Sequence, residues 1–343
     1  MGMKAGYFFT ALILIAGLIS CGKDEAVIPP PVSGGGAPSH FPAPVYPISF
    51  SRVENEKFEL GRKMFYDENL SLDRTISCSS CHKTIAAFSD PGRSTSPGVG
   101  GKTGVRNAPA LFNLAWKPSM MWDGGVVNLE FQPVAPLTDT NEMHMQIKDV
   151  VLRLQENSEY SDLFKSAFGN FEINSQRILQ AFARFLSALI SGSSAYDNYI
   201  LGNPNALNSN EKKGLEIFRQ NCSACHTEPL FSDFTFRNNG ISATASDSGR
   251  VRITLLPQDR NKFQVPSLRN VGFSAPYMHD GRFASLDEVI NHYSSPQNFS
   301  ANADEIMPQK ELSVQEKEQL KAFLLSLNDY QFVNNPGFAN PDY

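Results

Sequence analysis

The chain has 343 residues, enough for two ordinary domains, and with 41% hydrophobic and 19% charged residues it has the make-up of a globular protein. A formal net charge of −5 gives no electrostatic basis for a nucleic-acid partner, so that class is excluded. Four of the five cysteines fall into two pairs of identical spacing, which leaves Cys21 alone and rules out a disulfide framework.

The N-terminus reads as an export signal. Lys4 precedes an apolar run from Tyr7 to Ile19, too short to span a bilayer comfortably but the length of a secretory core. The run ends in Leu18-Ile19-Ser20-Cys21, which resembles the bacterial lipoprotein cleavage box. Residues 1–20 are therefore expected to be removed, with Cys21 the lipidated first residue of an extracytoplasmic protein anchored to a membrane and facing the periplasm. A plain secreted signal cut near Ser20 is the alternative. Residues 21–50 follow as a Pro/Gly-rich tether. From Ala26 to Pro47 there are seven prolines and the run Gly34-Gly35-Gly36, without periodic apolar pattern, so this stretch is expected to be disordered and His40 within it incidental.

A first domain is expected over 51–205. Phe58, Leu60, Met64 and Phe65 recur at helical spacing, and after a polar turn comes Cys78-Ser79-Ser80-Cys81-His82. Two thiols three residues apart can each add to one vinyl group of a haem, and the adjacent His can then serve as iron ligand, so this is a c-type haem attachment signature. A zinc knuckle and a thioredoxin-like dithiol are the competing readings. Zinc would need four ligands in matched pairs and would leave the His after each pair unexplained. Ser89 to Gly104, rich in Gly, Ser and Pro, is expected as a loop over a haem face. Ile147, Val150, Val151 and Leu154 mark one amphipathic helix, and Ile178, Phe182, Phe185 and Leu189 another. The polar stretch Asn203 to Asn208 is taken as the domain boundary.

The second domain, 206–343, repeats the plan. A helix around Leu215 and Phe218 leads into Cys222-Ser223-Ala224-Cys225-His226, a second haem signature. Thr227 to Gly272 has little periodicity and is expected to be mostly loop. Capping boxes at Ser285-Leu286-Asp287-Glu288 and Ser313-Val314-Gln315-Glu316 announce two helices, the latter with Leu320, Phe323, Leu324 and Leu327 on one face. No long alternating strand pattern is present. The fold class expected is mostly α: two cytochrome c-like domains with long loops, each around one covalent c-type haem.

Around these motifs the sequence resembles the bacterial di-haem cytochrome c peroxidase and MauG family, across roughly Ser51 to Leu327. The resemblance is carried by Leu60-Gly61-Arg62 with Phe65 and Asp67, Arg106-Asn107-Ala108-Pro109, Trp122-Asp123-Gly124 and Glu142-Met143. In the second half it is carried by Leu268-Arg269-Asn270-Val271 and Ala275-Pro276-Tyr277-Met278-His279-Asp280-Gly281. It implies that the haem on Cys78, Cys81 and His82 binds hydrogen peroxide, while the haem on Cys222, Cys225 and His226 stores or relays electrons. It places Glu142 as distal acid/base, Trp122 as the aromatic step between haems, and an interdomain calcium ion on Asn107 and the backbone oxygens of Ser274 and Pro276, Ser274 standing where Thr is usual. The loop position where the peroxidase branch carries a blocking His is Val99, which cannot bind iron, and His144 stays unassigned. The distal ligand of the second haem falls at Tyr293, the ligand type of MauG, with Met278, His292 and Met307 competing. Trp116 has no such role.

The expected activity is peroxide reduction with electrons from a small cytochrome c or cupredoxin. MauG-like oxidation of a protein or organic substrate is the alternative, for which Val99 and Tyr293 argue, and a non-enzymatic di-haem electron carrier is the second alternative. A homodimer is compatible with the resemblance.

Overall fold

The computed structural model describes residues 1–2, 36–49, 51–241, 247–294, 303–304 and 311–342. The expected signal peptide, Cys21 with residues 21–35, and Met307 lie outside these.

Two helix pairs organise the molecule. Helix α1 (Arg52–Tyr66) starts at Ser51, whose hydroxyl accepts from Glu54 N–H, and buries Phe58, Leu60, Met64 and Phe65. After α2 (Cys78–Cys81) and α3 (Val134–Thr138), the two periodic segments fold as expected into α4 (Ile147–Gln155) and α6 (Ser175–Ala188), with a further helix, α5 (Ser158–Phe168), between them. α1 crosses α6 so closely at Gly61 that a Cβ there would overlap the Ala181 carbonyl.

The second half repeats the crossing. After α7 (Ala195–Ile200), helix α8 (Ser209–Asn221) begins in a capping box of Asn208 with Glu211. Among the described residues the expected loop region holds the short α9 (Val251–Thr254), a 3-10 turn at Pro257–Asp259 and the two-residue antiparallel strands β1 (Phe236–Arg237) and β2 (Phe263–Gln264). α10 (Leu286–Ser294) and α11 (Val314–Leu325) start at the two expected capping sites, and α8 packs on α11 with Gly214 against the Gln319 carbonyl. The mostly α architecture with two cytochrome c-like domains is thus the observed one.

Four expectations are corrected. The boundary at 205/206 cuts the second core, because Tyr196 of α7 packs with Phe218, Phe231 and Phe323. The chain's end does not belong to the second domain either: beyond α12 (Tyr330–Val333), Phe338 joins Phe332 in the first core against Phe58 and Phe88. The part of the tether that is described, residues 36–49, is packed rather than disordered. Phe41 is buried edge-on against Trp116, whose indole N–H donates to the Pro42 carbonyl at 2.8 Å, and Tyr46 N–H bonds the Ala115 carbonyl at 2.9 Å. His40 is not incidental: its Nε2 lies 2.8 Å from Asp197, which also takes both terminal nitrogens of the buried Arg269.

Candidate functional site

Each haem motif is presented by the same local device. In α2, Ser80 Oγ accepts from Ser77 N–H, and His82 N–H closes the turn on the Cys78 carbonyl at 3.0 Å. His82 Nδ1 then meets the Phe88 carbonyl at 2.7 Å. In the second motif His226 N–H closes on the Cys222 carbonyl at 2.9 Å, and Nδ1 meets the Phe231 carbonyl at 3.1 Å. In both, the carbonyl fixes the Nδ1–H tautomer and leaves Nε2 as the lone pair for iron. Burial lowers the pKa of both imidazoles, which keeps the neutral form that a metal requires.

Phe88 and Phe231 are fully buried and hold left-handed backbones, φ 60° and 54°, that turn these carbonyls inward. Sequence reasoning missed both, although a signal was present: Phe-Ser-Asp stands shortly after each His, at 88–90 and 231–233.

The thiols answer the competing readings. Burial pushes Cys78 and Cys222 up to about 12, the opposite of a reactive dithiol. Among the described residues no three His, Cys, Asp or Glu side chains converge as a metal site, so a zinc knuckle is unsupported.

The surroundings of the second motif fit a haem. Its cavity is walled by apolar side chains such as Leu286, Ile290, Leu320 and Leu324, and it also contains His279, whose buried Nε2 has no partner among the described residues. Tyr293, from α10, lines this cavity with Cys222, Cys225 and His226, and its hydroxyl accepts from Asn239 Nδ2 at 3.0 Å. Burial pushes its phenol up to about 12. Of the competing ligands, Met278 lines the same cavity, whereas His292 meets the Asn239 carbonyl at 3.0 Å.

Asn107, Ser274 and Pro276 all line that cavity, where Asn107 Nδ2 donates to the carbonyls of Arg93 and Ser94 at 3.1 and 3.2 Å. Trp122 lines it from the first domain, its indole N–H on the Asn107 carbonyl at 2.9 Å and its own carbonyl bonded by Gln264 N–H of the second. Arg106 ties the domains beside it, donating to Asp247 at 2.7 and 2.8 Å and to Asp123 at 2.8 Å.

Glu142 belongs to the first motif. Its charge bears on both Cys78 and Cys81, and its carbonyl accepts from Val99 N–H at 2.9 Å, so the expected blocking position sits beside it. Although the side chain keeps open surface, surrounding protein desolvates it, and with the Asp139 charge this raises its carboxyl to about 7. His144 lies two residues on in a left-handed turn, with its N–H on the Asp139 carbonyl.

Two haem-attachment motifs in one helical chain define a di-haem c-type cytochrome. A sequence model described as di-haem cytochrome c peroxidase matches residues 55–205. The chain is 34% identical over 309 residues to the methylamine utilization protein MauG of Methylophilus methylotrophus, covering 87% of this chain and 89% of that one. It is 33% identical to the cytochrome c551 peroxidase of Nitrosomonas europaea, over 77% and 80% of the two chains. A solved MauG-like protein associated with microbial copper homeostasis superposes with a TM-score of 0.82 at 33% identity, over 89% of this chain and 98% of that one. The chain belongs to the di-haem cytochrome c peroxidase and MauG family, and is an oxidoreductase of the peroxidase type with two c-type haems. Members of this family are typically extracytoplasmic; among the described residues no helix is long and apolar enough to cross a membrane.

Proposed function

We propose that the chain reduces hydrogen peroxide to two waters at its first haem site, using two protons and two electrons delivered singly by a small redox protein such as cytochrome c or a cupredoxin. Bound haem supplies the iron at which the O–O bond breaks and the redox capacity for both electrons. The protein's part is proton movement, access and connection.

The placement of Glu142 carries this reading. A carboxyl close to the first motif and raised to about 7 is half ionised near neutrality, so it can take the proton from one peroxide oxygen and return it to the departing one. Val99, packed beside it, offers no atom that binds iron, so at that position no ligand has to leave for peroxide to enter. Trp122 then provides the aromatic step toward the second site. Tyr293 serves there as distal ligand, and Asn107 with the Ser274 and Pro276 carbonyls holds a calcium ion through hard oxygen donors. Cys21 carries the lipid that anchors the protein to a membrane facing the periplasm.

A second reading, MauG-like oxidation of a protein or organic substrate, is favoured by the position of Tyr293 on the second cavity. One experiment separates the two. Peroxide-dependent oxidation of reduced cytochrome c or cupredoxin at two equivalents per peroxide, severely slowed in Glu142→Gln, supports the first. Rapid reaction with peroxide without oxidation of either donor sinks it in favour of the second.

A further inference from the structure

Three cationic side chains line the cavity of the second motif: Lys117, Arg237 and Arg269. Two are neutralised by protein. Arg269 gives its terminal nitrogens to Asp197 at 2.8 and 2.6 Å, and Arg237 donates to Asp304 at 2.9 Å and Asp233 at 3.2 Å. Lys117 is different: among the described residues its ammonium has no carboxylate, carbonyl or hydroxyl partner.

Nor is it an ordinary surface lysine. It directly follows the buried turn Leu114–Trp116, its amide closes that turn on the Leu114 carbonyl, and its half-buried side chain contributes to the cavity wall. Surrounding protein lowers its pKa to about 8, with no neighbouring charge opposing the shift. An ammonium on the wall of a largely apolar cavity without a counter-ion is costly, and proteins retain one where something else supplies the charge.

We propose that Lys117 Nζ binds a propionate carboxylate of the second haem, so that the first domain supplies the counter-charge for the cofactor attached to the second. The protein's own acids facing the cavity do not compete, since Asp304 is committed to Arg237 and the Tyr293 hydroxyl is bonded to Asn239. The consequence is electrochemical. A cation beside the propionate favours the reduced state, which carries one more negative charge, and so raises the potential of the second haem. This opposes the lowering that a phenolate ligand at Tyr293 would exert. The inference rests on the attachment of haem at Cys222 and Cys225, and not on the peroxide chemistry.

The test is made on the holoprotein with K117M, K117Q and K117R, each checked for two haems by pyridine haemochrome. The midpoint potential of each haem is measured by spectropotentiometric titration, and the propionate bending band by resonance Raman. In K117M the second haem's midpoint falls and the band moves, while the first haem's midpoint stays; K117R restores both. K117Q, neutral but polar, is read the same way if K117M does not mature. An unchanged second midpoint and band in a fully loaded neutral variant overturns the inference. So does an equal shift in K117R, or a shift confined to the first haem. No peroxide enters the measurement, so a failure of the peroxidase reading leaves this result standing.

Discussion

The role proposed for Glu142 carries a pH dependence that can be worked out in advance. Its ordinary value is 4.5 and its value in the fold is about 7, raised first by desolvation and second by Asp139. A bound haem adds further desolvation, which pushes in the same direction. Only the ionised form can accept the peroxide proton, so the base is lost as pH falls through 7. At pH 5 about 1% of the groups remain ionised, against about three-quarters for an unperturbed Glu. The second-order rate of the peroxide-induced spectral change, followed by stopped flow, should therefore fall about 100-fold between its alkaline plateau and pH 5. Glu142→Gln should lower the plateau by roughly 100- to 10,000-fold and flatten the profile. Asp139→Asn should move the inflection to lower pH by removing the neighbouring charge. A wild-type rate that holds its plateau to pH 5, or an inflection that persists in Glu142→Gln, would refute the assignment.

Gly214→Ala and Gly61→Ala each drive a Cβ into a carbonyl of the crossing helix and should cost about 1–3 kcal/mol, read by chemical denaturation; unchanged midpoints would deny the close crossings. Tyr293→Phe should alter the absorption of the second haem, whereas an unchanged spectrum passes the ligand role to Met278. Phe41→Ala should cost about 3 kcal/mol and red-shift Trp116 emission by opening the cluster over the indole. Native-like stability and emission would show that residues 36–49 are not held to the body.

What was legible in the sequence is what is local. The pentapeptides at 78 and 222, the helical periodicity of α1, α4 and α6, and the capping box at Ser313 each lie within a few turns of chain, and the helices fold as read. What was not legible depends on partners far away. The prolines and glycines of the N-terminal segment give no period, so nothing local reveals that His40 meets Asp197 or that Phe41 lies under the Arg269 guanidinium at 4.6 Å. The boundary was misplaced for the same reason: Phe332 and Phe338 read as ordinary apolar residues of the last domain, and only the return of the chain shows that they complete the first core. Glu142 was marked by resemblance alone, and its raised carboxyl arises from surroundings that no short window contains.

The proposed division of labour between the haem sites rests on what each domain does not share with the other. Both cross two helices at a glycine, both carry a left-handed Phe whose carbonyl orients a His, and both surround that Phe with aromatic rings. On these proximal elements alone the sites are equivalent. The differences come from loops and crossings on the other faces. Asn141 and Glu142 arrive on the turn that packs against Gly98 and Val99, where a Cβ at Gly98 would overlap the Asn141 carbonyl, so this approach is part of the packing. Tyr293 arrives on α10 in the other half, while Trp122 and Lys117 cross from the first domain into the second cavity. A repeated scaffold is thus made unequal by a few side chains, which predicts that exchanging proximal elements between halves would leave the roles in place, whereas changing Glu142 or Tyr293 would not.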